Sequence, residues 1–252
     1  MRREARESLD DLLAFWREHF ENDHQEEWFG PHARDAEYVN TLPRRQTKAS
    51  RIIKKLKPLI PVPFSGNLRR AKIYLLMGNP KAGKHTPLEA SFESHGRWVR
   101  AIRANVLDER HDFFSLRADF NLTAAHAFFW PMLSPVIMGF PYNQRRRALE
   151  YLIANLAVLD VWPYHAKNFP GNLGWPSTVK ILAFFRHFVL DRVCNEDAIA
   201  IPIFGKKCWV DNPIPKSLKL DWKNATKRRR SATLNSKEIK RVATCFMEGA
   251  GH

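Results

Sequence analysis

Apolar positions recur along this chain in two rhythms, and each predicts a different element. Leu9, Leu12, Leu13, Trp16 and Phe20 fall three or four residues apart, which predicts an amphipathic helix over residues 8–21. By contrast, Ile73-Tyr74-Leu75-Leu76-Met77 is a short unbroken apolar run that stops at Gly78-Asn79-Pro80. It reads as a buried strand that delivers a polar loop to the carboxyl edge of a sheet. Residues 155–161, 198–204 and 218–222 read as further strands. Residues 143–154 and 178–193 read as helices, with Ser177 as N-cap of the second. Asn235 and Glu238 form a capping box for a last helix carrying Ile239, Val242, Ala243 and Phe246. Residues 85–140 read as irregular and aromatic-rich. The Pro61-Val62-Pro63-Phe64-Ser65-Gly66-Asn67 stretch reads as a breaker-rich loop.

Strands alternating with helices predict an α/β fold with a mostly parallel sheet. Residues 1–60 are read as a helical N-terminal extension that packs on the core, and residues 61–252 as the α/β domain. With 252 residues and 44% hydrophobic content, one substantial core is expected. Charges break the apolar stretches well short of a membrane-spanning length. The N-terminal Met1-Arg2-Arg3-Glu4 has no apolar segment behind it, so no secretory signal is read and a cytoplasmic location is expected. Cys194, Cys208 and Cys245 are odd in number and far apart, which argues against a disulfide framework, a zinc ribbon or an iron–sulfur cluster. No metal, cofactor or membrane partner is expected, and a monomer is expected.

Charge adds a partner. Lysine and arginine outnumber aspartate and glutamate 41 to 26, a net charge of +15. A chain this basic points to a polyanion, with nucleic acid first. Residues 206–241 hold twelve basic and three acidic residues, so much of the excess sits in one segment.

The loop after Met77 has two competing readings. Gly78 and Gly83-Lys84 fit a phosphate-binding loop, with Asp160 as the acid of a second motif. The eighth position of that pattern should be Ser or Thr, to bind Mg²⁺, but here it is His85. Pro80 removes a backbone N–H from a loop that should present them, and Pro87 interrupts the helix that should follow.

The alternative is that Gly78-Asn79-Pro80 resembles the first motif of the uracil-DNA glycosylase superfamily, above all its mismatch-specific branch. Lys81 stands where Gly is common in that family. Leu159-Asp160-Val161-Trp162-Pro163-Tyr164-His165 resembles a second motif, a strand ending in Asn-x-x-Pro, with Asp160 in place of the Asn. Residues 224–231 occupy the place of a third motif that enters the duplex. Asn224 matches its first position, the Pro is missing, and Lys227, Arg228, Arg229 and Arg230 are inserted.

The resemblance implies a three-layer α/β/α sandwich and a monofunctional DNA glycosylase that leaves an abasic site. It also implies roles for residues. Asn79 orients the attacking water, while His165 donates to the departing base or holds a phosphate. Asp160 reads the base edge, with Gly78, Pro80, Tyr164, Phe92 and Asn224 at the substrate. Lys81, Lys84, Lys223, Lys227, Arg228, Arg229 and Arg230 are expected on DNA phosphates. Glycosidic cleavage needs these types of residue, because it expels an anionic base from an oxocarbenium-like sugar and first requires the nucleotide to be flipped out. An ionised Asp160 only accepts hydrogen bonds, which suits an exocyclic amine such as cytosine N4 and not uracil. A modified cytosine, as in phage DNA removed for antiviral defence, is the expected substrate. A catalytically inactive nucleic-acid-binding protein on the same fold is the competing class.

Overall fold

The computed structural model describes residues 3–21, 31–41, 60–78, 93–108, 112–121, 123–165, 174–195, 197–204, 209, 234 and 236–249. Four strands form one mixed sheet: β1 (Phe64–Ser65), β2 (Ile73–Met77), β3 (Leu156–Asp160) and β4 (Ile199–Pro202). Their spatial order is β1-β3-β2-β4. The three longer strands run parallel, with β2 between β3 and β4. Only β1 is antiparallel, pairing Phe64 with Leu159 and Ser65 with Val158. The stretch read as a breaker-rich loop thus contributes a short edge strand. Gly66 makes this possible. Its φ is +93°, and a Cβ there would meet the carbonyl oxygen of Leu156 at 2.1 Å. The Asn105 side chain holds the same residue on both sides, accepting from the Gly66 N–H at 2.8 Å and donating to its carbonyl at 3.1 Å.

Period-two alternation divides β2 between two cores. Tyr74 and Leu76 face the side packed by α1 (Arg3–Phe20), α3 (Glu93–Leu107) and α6 (Pro176–Phe184). Ile73, Leu75 and Met77 face α4 (Ala124–Met138), α5 (Arg145–Asn155) and α8 (Ser236–Gly249). Helices therefore cover both faces of the sheet, which is why β2 and β3 are buried along their whole length. The predicted first helix lies in the first of these cores, with Leu9, Leu12, Trp16 and Phe20 fully buried.

Three expectations need correction. Residues 85–140 are not wholly irregular, since they contain α3 and α4. In α3, Trp98, Val99, Ile102 and Val106 make a buried stripe at helical spacing. Pro131 and Pro135 lie within α4, where each removes a backbone donor and so masks the helix in the sequence. Burial of Phe129, Met132, Leu133, Val136 and Ile137 holds that helix in place, and the Thr123 side chain caps it by accepting from the His126 N–H at 3.1 Å.

Second, Ser177 is not an N-cap. The helix begins one residue earlier, with Pro176 in its first turn, where a missing N–H costs nothing. The acceptor for the Ser177 N–H is the carboxylate of Asp35, at 2.9 Å, from α2 (Ala33–Thr41). Third, the helix predicted over 178–193 runs without a break from Pro176 to Cys194, but not as α-helix throughout. A π-helical segment at Phe185–Val189 joins α6 to α7 (Leu190–Cys194). The strand expected at 218–222 and the capping residue Asn235 lie outside the described residues.

Candidate functional site

The carboxyl edge of the sheet brings the first two motifs together. Met77 pairs with Asp160 in the β2–β3 register. The ladder continues past both strands, as the Val161 N–H donates to the Met77 carbonyl at 3.3 Å and the Trp162 N–H to the Gly78 carbonyl at 3.0 Å. Gly78 and Asp160 therefore leave the sheet side by side. The chain before β1 closes the far side of β3. The Val62 N–H donates to the Pro163 carbonyl at 2.8 Å, and the Asp160 N–H to the Pro63 carbonyl at 3.2 Å. Across the edge, the indole N–H of Trp209 reaches the Met77 carbonyl at 3.1 Å.

Asp160 is the chemically unusual residue here. Its side chain is buried, and its Oδ1 has no hydrogen-bond partner among the described residues. Burial alone pushes its carboxyl well above the usual carboxylate range. The expectation of an ionised, acceptor-only carboxylate is corrected accordingly, because desolvation favours the neutral acid. A neutral carboxyl carries one O–H donor as well as an acceptor. It can donate to cytosine N3 while accepting from N4, and it can serve uracil's N3–H and O4 with the proton on the other oxygen. Discrimination against uracil does not follow from Asp160 by itself.

His165 lies beyond Pro163, half-buried, with its ring 6.2 Å from that of Trp98 in an edge-on arrangement. Tyr164 goes elsewhere. Its ring is buried among Trp162, Trp175 and Trp16. Its hydroxyl donates to the Asp35 carboxylate and accepts from the His32 N–H at 3.0 Å. The hydroxyl expected at the substrate is thus committed to the core. Burial raises both the Tyr164 hydroxyl and the Asp35 carboxyl from their ordinary values. His32 accepts from the Arg34 N–H through Nδ1 at 3.1 Å, so Nε2 carries the proton and donates to the Phe15 carbonyl at 2.8 Å. Burial lowers that imidazole, consistent with a neutral ring.

The geometry therefore assembles Gly78 and Asp160, with His165 on the same loop, and separates Tyr164 from them. Asn79, Pro80, Lys81, Lys84, Phe92, Lys223, Asn224, Lys227, Arg228, Arg229 and Arg230 lie outside the described residues. Sequence reasoning missed three contributors: Asp35, His32 and Trp209. No local signal marks Asp35 or His32, because their partners are remote in sequence. Trp209 follows an apolar strand, but its bond to Met77 depends on the fold. Among the described residues no cluster of three His, Cys, Asp or Glu is arranged to hold a metal ion, and no helix is long and apolar enough to cross a membrane. Comparison of the chain with protein-family models, curated proteins and solved structures finds no match.

Proposed function

We propose that this protein is a monofunctional DNA glycosylase acting on a flipped damaged or modified base, modified cytosine, as in phage DNA, being one candidate class. The observation that carries the reading is the β2–β3 register. It sets Met77 opposite Asp160, so the Gly78-Asn79-Pro80 loop and the Asp160–His165 loop start from adjacent strand ends. Open α/β sheets bind their ligands at such an edge. A buried carboxyl whose Oδ1 has no partner among the described residues fits a surface that is completed by a base.

In this mechanism Asn79 holds a water for attack on the sugar C1′ as the glycosidic bond breaks. The electron pair of that bond leaves with the base, which gains a proton as the attacking water loses one, so the products are the neutral base and the abasic sugar. Asp160 pairs with the base edge, and its proton offsets charge developing on a cytosine ring. His165 is within the same loop to donate to the base or to a phosphate. The motifs imply no lysine nucleophile, so the product is an abasic site.

The test is alkali-revealed cleavage of oligonucleotides carrying uracil, 5-hydroxymethylcytosine or its glucosylated form. Breaks are expected on at least one cytosine derivative. Asn79→Ala should slow them by about 10²- to 10⁴-fold with DNA binding retained. Binding without breaks on every substrate would favour the inactive nucleic-acid-binding protein instead.

A further inference from the structure

A cavity of about 560 Å³ opens at the opposite end of the sheet from Gly78 and Asp160. Lys72, just before β2, and Ile199, at the start of β4, define its floor, and α8 forms a wall. Four cations line it, Lys72, Arg192, Lys240 and Arg241, against one carboxylate, Asp197. The fold accounts for Arg192. Through Nη1 it donates to the carbonyls of Ala71 at 2.6 Å and Arg69 at 3.2 Å, and to the Tyr74 hydroxyl at 2.9 Å. It also stacks over the rings of Tyr74 and Phe188. The other three have no such explanation. Lys72 and Lys240 are exposed, Arg241 is half-buried, and none makes an ion pair among the described residues. Like charges gathered in one cavity repel one another, and a bound anion relieves that cost.

We infer that this cleft binds a phosphorylated small molecule through Lys72, Lys240 and Arg241, with Arg192 as a fixed cation behind them. Several considerations favour that ligand class. Net positive charge from four cations and one carboxylate calls for a multiply charged anion, and a single carboxylate would leave most of it uncompensated. The volume falls in the ordinary small-molecule range of roughly 300–1,000 Å³. Location separates it from the proposed catalytic edge, since a five-residue strand places its two ends about 13 Å apart. Arg192 is held before any ligand arrives, so binding pays little to order it. The inference does not depend on the glycosylase reading.

Inorganic pyrophosphate is the probe, used with the full-length protein in isothermal titration calorimetry at fixed ionic strength. Saturable binding is expected, at least about tenfold weaker in a Lys240→Ala/Arg241→Ala protein, as loss of charge-assisted hydrogen bonds implies. Cys245 lines the cleft, whereas the exposed Cys194 does not. Pyrophosphate should therefore slow alkylation of Cys245 and leave Cys194 unaffected. Lys72→Ala gives the same readout from another element if the double variant does not fold. Absence of saturable binding, or equal affinity in parent and variants, overturns the inference. So does a result in which short duplex DNA, and not pyrophosphate, loses affinity in the double variant, because the cleft would then be a nucleic-acid surface.

Discussion

Asp160 and Tyr164 lie four residues apart, and burial raises the pKa of both, but they differ in their hydrogen-bonding partners. Tyr164 has two hydrogen-bonding partners for its hydroxyl, whereas Asp160 has none on Oδ1 among the described residues. The difference becomes measurable as pH dependence. A carboxyl whose folded value is raised above the unfolded one keeps its proton in the native state after the unfolded chain has lost it. Unfolding then releases a proton, so stability is full below the unfolded value, about 3.9, and falls as pH rises toward the folded value. Asp160 and Asp35 both act in this direction. Asp160→Asn removes the first titration and leaves the second. The stability of the variant relative to the parent should therefore climb with pH above about 4, by up to about 1.4 kcal/mol per pH unit, and level off once the folded value is passed. Urea denaturation of both proteins across pH 4–8 measures it. A constant difference would mean that Asp160 is not held neutral by the fold.

At the scale of elements, the sequence was most legible where the structure is set by a neighbour in the chain. The apolar runs of β2 and β3 and the helical stripe of α1 depend on adjacent residues, and they appear as predicted. The N-terminus of α6 is different. Ser177 has the right chemistry for a cap, but the carboxylate that accepts from its N–H belongs to Asp35, on an element 142 positions earlier. Local reading cannot weigh that competitor. Likewise Pro131 and Pro135 hide α4, because the burial that offsets their missing donors is a property of the packed molecule. At the site, the nearness of Gly78 to Asp160 was legible as two strand ends, and the inward turn of Tyr164 was not. The Asp35 contact carries a prediction of its own. Asp35→Ala leaves the Ser177 N–H and the Tyr164 hydroxyl without their acceptor, and should cost about 1–3 kcal/mol in chemical denaturation. Asp35→Asn keeps one oxygen acceptor and should cost less. Equal stability of Asp35→Ala and the parent would show that α2 does not cap α6.

Over the whole molecule, two parts of the basic excess, Lys227–Arg230 and the cleft's Lys72, Lys240 and Arg241, are assigned to different ligands. Residues 206–241 hold most of the charge excess, and Lys227–Arg230 is its densest run. If that run neutralises DNA phosphates, each neutralised phosphate releases counterions and adds about −0.9 to the slope of log affinity against log salt. Replacing Lys227, Arg228, Arg229 and Arg230 with Gln should make the slope less negative by about 0.9 for every phosphate no longer neutralised, up to roughly 3.6. Lys240→Ala/Arg241→Ala removes two charges from the cleft beside Lys72 and Ile199. Those residues are assigned to a small phosphorylated ligand, so this variant should leave the DNA slope near that of the parent. Fluorescence anisotropy of a labelled duplex over a salt series reads both variants in one experiment. Equal changes of slope in the two would mean that the excess charge acts as a single diffuse field around the molecule. A change confined to the Lys227–Arg230 variant would tie the DNA to that segment and leave the cleft to its own anion.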